Sequence, residues 1–420
     1  MKPTRPVYIA GGAHTPFIGK FHPDFIWKGH PDFGKRTNPS LEDYLRLATL
    51  DALRSIDLSP ELVEGGVVSN FVGELFNRQG HLGAMLAAAH PAFAYKAFHR
   101  VEGACASGAL ALKSAVAAIC SGSDIVLAVG AEMQTAVSAK EGADYLARAA
   151  HYERQRAIDP FTFPCLFARR MKAYCEKYDL SPAAVAPIVV KAYTNAAKNP
   201  FAHMRTVGMA LEQAAAASEK NPLFIENPEF HDYLKISDCS QVSDGGSCVI
   251  LVSEVGLEKA GIDKRECVEI VAMGHSTGPL GEVADLTALD VTENAAERAY
   301  GSAGWDATDI DVAEVHDCFS ITEALMYEAL GFCEAGEGVA FGAAGETSLT
   351  GIVPVNTGGG LMAFGHPVGA TGIKQAFEVF RQMHGKCGDY QLAKRPRRGL
   401  TANMGGDDRT SVVTLYQRVS

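Results

Sequence analysis

The chain is poor in cysteine, short of cationic side chains and without a long hydrophobic run, and each shortage excludes a class of protein. Ten cysteines in 420 residues are too few for a disulfide scaffold. They stand at 105, 120, 165, 175, 239, 248, 267, 318, 333 and 387, no two of them three apart, so there is no C-x-x-C zinc or redox motif. Such thiols fit a reducing compartment, as core filler or as catalysts. Lys and Arg number 38 against 49 Asp and Glu, a net charge of −11, which argues against nucleic acid and against a membrane surface as partners. The longest stretch free of charged residues, 347–373, holds seven glycines and two prolines and cannot form a simple membrane span. The opening MKPTRPVYIA is not followed by an apolar core with a cleavage site, so no secretory signal is expected and the cytoplasm is the expected location. Clean dinucleotide-binding and P-loop glycine patterns are missing too.

What is present reads as an alternation of strands and helices. At about 150 residues per domain the length predicts two or three folded units, and an apolar fraction of 47% is ordinary for a globular protein. Val7–Ala10 reads as a strand ending at Gly11-Gly12. Ser40 opens a helix with Asp43 as capping-box partner and Leu41, Leu45, Ala48, Ala52 and Ile56 as its apolar stripe. Val67–Val72 and Asp124–Val129 read as strands, and the Ala-rich 106–120 as a helix between them. This alternation predicts an α/β fold with buried sheets.

The second half repeats the first. VYIAGGAHTP at 7–16 matches VEIVAMGHSTGP at 268–279. VVSNFVGE at 67–74 matches VAEVHDCFS at 312–320. The glycine-rich helix openings GACASGAL (103–110) and GHPVGATG (365–372) also match. Each half is expected to close with a strand, DIVLAVGAEM and TSVVTLYQ. Between the halves, 140–198 carries ten Lys/Arg against six Asp/Glu. This basic island reads either as a site for a phosphate-bearing anion or as a solvated helical surface.

Four segments carry reactive groups. Cys105 lies where a glycine-rich turn enters a helix, and the helix end is expected to stabilise its thiolate; the alternative is a buried structural thiol. His366, pinned by Pro367 between glycines, is placed to accept a proton from a thiol. His316-Asp-Cys318-Phe follows the apolar run Val312–Val315 and sets a hydrogen-bond donor and a second thiol at a strand end. Asn403-Met-Gly405-Gly406 offers backbone N–H groups for an oxyanion, or is simply a turn. Gly274-His-Ser276-Thr-Gly278 fits the G-x-S-x-G hydrolase elbow, but no apolar helix follows directly.

Taken in order, Cys105, HDCF (316–319), NTGGG with GHPVGATG (356–372) and NMGG (403–406) resemble the thiolases, and most of all the sterol-carrier-protein-2-type subfamily with its HDCF motif. The resemblance spans essentially the whole chain. It implies a thiolase-like α/β fold of two duplicated halves in a five-layer αβαβα core. It implies an N-terminal half of 1–135 and 236–265, a loop domain inserted at 136–235, and a C-terminal half of 266–420. It implies an acyltransferase that moves an acyl group between coenzyme A and acetyl-CoA through an acyl-cysteine, in either the degradative or the synthetic direction. On this resemblance Cys105 is the nucleophile, His366 its base and Cys318 the acid/base thiol. His316 and His366 form one oxyanion hole, and the N–H groups of Cys105 and Gly405 form the other. Ser240 contacts the pantetheine arm. No cofactor is held permanently, coenzyme A and acyl-CoA being substrates, and no metal is expected. A homodimer or homotetramer is implied, and an accessory subunit is entertained. The chain departs from common thiolases at Asn403, where they carry the cysteine of C-x-G, and around 163–167, where they carry a pocket histidine. Two alternatives follow: a thiolase-like binder of CoA with little independent catalysis, and a ketoacyl-synthase-type enzyme, disfavoured because those read G-H-T where this chain has Gly365-His-Pro.

Overall fold

The computed structural model describes residues 1–419. Nine strands form one hydrogen-bonded sheet: β1 (Tyr8–His14), β2 (Gly65–Ser69), β3 (Ala97–Val101), β4 (Ile125–Glu132), β5 (Gly245–Val252), β6 (Val268–Thr277), β7 (Val312–Glu314), β8 (Arg398–Gly405) and β9 (Thr410–Arg418), in the order β3-β2-β4-β5-β1-β6-β9-β8-β7. Read outward from the central β1/β6 contact, the two halves have the same plan. An antiparallel pair (β1/β5, β6/β9) is followed by a second antiparallel step (β5/β4, β9/β8) and then a parallel one (β4/β2, β8/β7). The duplication is therefore real, but one of its matches moves. DIVLAVGAEM, in β4, corresponds to β8, and TSVVTLYQ, in β9, corresponds to β5. The chain runs through a long helical excursion before it forms β5, which hides this closing strand from the residue patterning, although the resemblance assigns 236–265 to the first half.

The helices sort into layers by their apolar faces. Helix α1 (Leu41–Ser55) has the expected capping box between Ser40 and Asp43, which satisfies two end N–H groups reciprocally. It lays Leu41, Leu45, Ala48 and Ala52 on the outer face of the first half-sheet. Helices α2 (Ser107–Cys120) and α3 (Ala139–Leu146) follow; α2 is buried on the inner face through Ala109, Leu112, Val116 and Ile119. Between β4 and β5 the chain also forms α4 (Thr162–Tyr178) and α5 (Ala186–Ala196). In the second half, α6 (Asp290–Ala303) covers the outer face of β6 and β9, and α7 (Ser320–Ala329) follows the HDCF segment. Helix α8 (Val368–Met383) lies beside α2, with Ile373, Ala376, Val379 and Phe380 in the same core as α2 and both half-sheets. Helix, half-sheet, the α2/α8 pair, half-sheet, helix is the expected αβαβα stack, with hydrogen bonding continuous through the centre.

Two other expectations are corrected. Ser276 sits inside β6, paired with Ser411, and its hydroxyl donates to Asn294 Oδ1 at 2.7 Å; there is no strand-to-helix elbow, so the hydrolase pattern is coincidental. The basic island is largely ion-paired rather than open to an anion. Arg148 meets Asp144 at 2.6 Å, Arg169 meets Glu282 at 2.7 Å, Lys172 meets Glu176 at 2.9 Å and Lys191 pairs with Glu323.

Arg170, on α4, is wholly buried, pairs with Asp407 and donates to the carbonyls of Leu286 and Ala288 at 3.1 and 2.8 Å. It ties α4 to the β8–β9 hairpin beside Gly406. Arg170→Ala leaves the buried Asp407 carboxylate with only Arg169, at 3.8 Å, as an ion-pair partner, and breaking such a buried pair costs about 3–5 kcal/mol. The expected result is a matching loss in urea-unfolding free energy, whereas a loss under about 1 kcal/mol is what an exposed pair would give.

Candidate active site

The site forms where the N-terminal ends of the two central helices meet. A side chain at Gly108 would place its Cβ 2.5 Å from Gly372 N, and one at Gly372 would reach 2.4 Å from Ala109 N. Only glycine permits this approach, because backbone lies against backbone. The two glycines hold equivalent places in CASG (105–108) and GATG (369–372), so the duplication itself brings Cys105 and His366 together. The turn Ala104–Ala106 precedes α2, and Ala104 has φ +51°, a strained conformation for a residue with a Cβ. Ser107 Oγ donates to Ala104 O at 2.6 Å and accepts from Gly103 N at 3.0 Å, bracing the turn that presents Cys105.

Cys105 Sγ and one ring nitrogen each of His316 and His366 lie within 4.8 Å of one another. The two rings stand edge to face, with centroids 5.1 Å apart. These three donors would also admit a soft divalent cation. Cys318 lines the same cavity but is not part of this tight cluster. Its sulfur faces Thr322 Oγ1 at 3.8 Å, and its carbonyl accepts from Ser240 N at 2.9 Å. The cavity has a volume of about 360 Å³ and is also lined by Ser240, Phe71, Phe163, Phe167, Phe319 and Gly406. Phe163 and Phe167, from the segment in which no pocket histidine is found, thus form part of the wall.

Hydrogen bonds give the two imidazoles opposite roles. Asn403 Oδ1 accepts from Ala109 N at 3.2 Å, so its Nδ2 is the atom that donates to His316 Nδ1 at 3.1 Å. His316 therefore carries its proton on Nε2. Thr371 Oγ1 donates to Pro367 O at 3.0 Å and so accepts from His366 Nδ1–H at 2.7 Å. His366 Nε2 is thus a bare lone pair, buried and without a partner. A donor and a base stand side by side, each tautomer fixed by the partner of its other nitrogen. Asn403, a departure from the family pattern in sequence, is in space the residue that orients His316.

Burial sets the protonation states. It pushes the Cys105 thiol up to about 12, against the pull of the Gly406 and Cys105 backbone N–H groups, with Glu132 adding to the rise. It lowers His366 to about 3 and His316 well below its ordinary value, and raises Cys318 well above the ordinary thiol range. The expected helix-end stabilisation of a resting thiolate is therefore outweighed: in the free protein both thiols and both imidazoles are neutral. Of the two glycines, Gly406 lines the cavity together with Cys105. Gly405 ends β8 with its Cα face against Gly103 O.

Several positioning residues escaped the sequence reading. Gln134 Nε2 donates to the carbonyls of His366 and Ser243, both at 2.9 Å, and Ser243 Oγ accepts from His366 N at 3.3 Å. Glu132 accepts from the N–H groups of Phe71, Val72 and Gly369 at 2.8, 3.2 and 3.0 Å, fixing two cavity walls at once. Asp317 accepts from Leu361 and Met362 N–H at 2.6 and 3.3 Å, clamping HDCF to the loop that leads to His366. Asp317 was legible as part of its motif; the others carry no local signal.

Two matched halves thus bring Cys105 and His366 to the ends of their shared helices, with His316 of the β7–α7 segment beside them. The chain belongs to the thiolase family: the thiolase N-terminal domain matches residues 31–255 and the thiolase C-terminal domain-like family matches 272–418. It is an acyltransferase of that family. It is 35% identical to an acetyl-CoA acetyltransferase of Methanothermobacter thermautotrophicus over 386 residues, covering 92% of this chain and 96% of that one. It is 32% identical to human sterol carrier protein 2 over 60% of this chain and 45% of the other. Among solved structures, the Ltp2-ChsH2(DUF35) aldolase superposes with a TM-score of 0.76 at 21% identity over 98% of both chains. No helix among the described residues is long and apolar enough to cross a membrane.

Proposed function

We propose that the protein cleaves 3-ketoacyl-CoA with coenzyme A, or runs the reverse condensation, through an acyl group held on Cys105. The observation that carries this is the Cys105 sulfur lying within 4.8 Å of a ring nitrogen of His366, whose Nε2 is buried and without a partner. Cys105 Sγ attacks the 3-keto carbon while its proton passes to His366 Nε2, and the N–H groups of Cys105 and Gly406 receive the oxyanion. The C2–C3 bond then breaks and its electron pair goes to C2. The Nε2–H of His316, joined by the now protonated His366, holds the thioester oxygen of the enolate. Cys318 gives C2 its proton, and acetyl-CoA leaves. The thiol of coenzyme A returns a proton to Cys318, its sulfur attacks the acyl-Cys105, and the released thiolate recovers its proton from His366. On this reading Ser240, which lines the cavity, contacts the pantetheine arm. Coenzyme A and acyl-CoA are thus substrates rather than resident cofactors.

The test is CoA-dependent conversion of acetoacetyl-CoA to acetyl-CoA by the purified chain. Turnover supports the reading, and binding without turnover would favour a CoA-binding protein instead. The aldolase neighbour, named for a DUF35 component as well as Ltp2, motivates a second arm in which an accessory subunit is co-purified and added back. A homodimer or homotetramer is the assembly proposed. The acid side of the pH profile is a further prediction. His366 must be neutral to act, and burial holds it neutral down to about pH 3. The kcat/KM for acetoacetyl-CoA should therefore stay level from about pH 8 to about pH 5, where a histidine of ordinary pKa would lose activity near about 6.5.

A further inference from the structure

The wall against which an acyl group on Cys105 would lie is built from Phe71, Leu146, Phe163 and Val368, which form one apolar cluster with the Cys105 side chain. Among the described residues, no Lys or Arg lines this cavity. The titratable group immediately behind the wall is an acid and not a base: the Glu132 carboxyl holds the N–H of Phe71 and of Gly369, the residue after Val368. Cations of the helical segment that could have turned inward are committed elsewhere, Arg170 to Asp407 and Arg148 to Asp144. An adjoining cavity of about 810 Å³ does carry Lys20 and Lys220, but Leu146, Ile236 and Val242 stand between it and the thiol, lining both spaces.

On the reading of Cys105 as the acyl carrier, we propose that the acyl group accepted here is uncharged and apolar, and that an acyl chain ending in a carboxylate is rejected. A carboxylate entering this space gives up its water and finds no cation and no ring of N–H donors, the costly case for a buried charge. An alkyl or aryl chain of the same length gains apolar contact along the same wall.

The experiment compares thiolysis of 3-ketohexanoyl-CoA with that of 3-oxoadipyl-CoA. In both, the C2–C3 bond breaks and a four-carbon acyl group forms the bond to sulfur, butyryl in one and succinyl in the other, so the chains differ in a terminal methyl against a carboxylate. The expected kcat/KM ratio is about 100-fold or more in favour of the neutral substrate. A ratio below about 3-fold, or one favouring the acid, overturns the proposal while leaving the thiolase reading intact, because both substrates are then turned over. Turnover of neither by a protein that cleaves acetoacetyl-CoA overturns this inference alone, and failure on all three substrates overturns the thiolase reading with it. Leu146→Arg, on the partly exposed last residue of α3, sets a cation in the wall and should narrow the ratio about 10-fold or more. An unchanged ratio in a folded variant that still cleaves 3-ketohexanoyl-CoA would overturn the assignment of this wall to the acyl chain.

Discussion

Cys105→Ala is expected to lower CoA-dependent cleavage of acetoacetyl-CoA by about 10⁴-fold or more, the scale on which removing a nucleophile acts in a site whose groups work as a unit. The same change should abolish a mass increase of about 42 Da, one acetyl group, on brief incubation of the protein with acetyl-CoA. The size of the effect follows from the site. Burial keeps the thiol neutral, so its nucleophilicity depends on handing its proton to His366 Nε2 as the sulfur–carbon bond forms, and nothing else in the cluster can replace it. His316 has Nδ1 occupied by Asn403 and a proton on Nε2. Cys333, half-buried and outside the cavity, provides the control: Cys333→Ala should leave both turnover and adduct unchanged. An adduct that survived in Cys105→Ala would place the acyl group on another residue and end this mechanism.

Cys318→Ala should separate the two halves of the reaction. Turnover of acetoacetyl-CoA is expected to fall about 10²–10⁴-fold, the usual range for loss of a positioned acid or base, while Cys105 should still take an acetyl group from acetyl-CoA. Acetylation by a simple thioester needs no proton at C2; carbon–carbon cleavage does. The thiol is suited to this because burial holds its pKa well above the ordinary value, so it stands protonated and ready to quench an enolate. Its place against the Ser240 backbone, and not in the tight Cys105–His316–His366 cluster, fits a group that meets the far carbon of the breaking bond. Loss of adduct and turnover together would instead mean that Cys318 supports the fold of the site, a result that unfolding curves of the variant would show directly.

Asn403 shows how a departure in one dimension can be a part in three. The sequence offered only a missing cysteine there. In space its amide is held by Ala109 N and fixes the tautomer of His316. The basic island is the opposite case, a pattern that looked like a ligand site and became ion pairs once its partners in distant loops, such as Asp407 and Glu282, came into reach.

By itself, the sequence determined the class and the reactive groups: the α/β alternation, the duplication, the capped first helix, and the three segments that hold Cys105, His316 with Cys318, and His366. These are local properties, carried by periodicity, turn residues and short motifs, and they survive in one dimension. Tertiary structure alone decided the equivalence of β4 with β8 and of β5 with β9, the place of Gly406 in the cavity wall, the neutral resting thiol, and the two opposite tautomers. Each of these depends on which atoms far apart in the chain exclude water from one another or share a proton. A burial that moves a thiol to about 12, or a hydrogen bond across 87 residues, leaves no trace in the residues beside it.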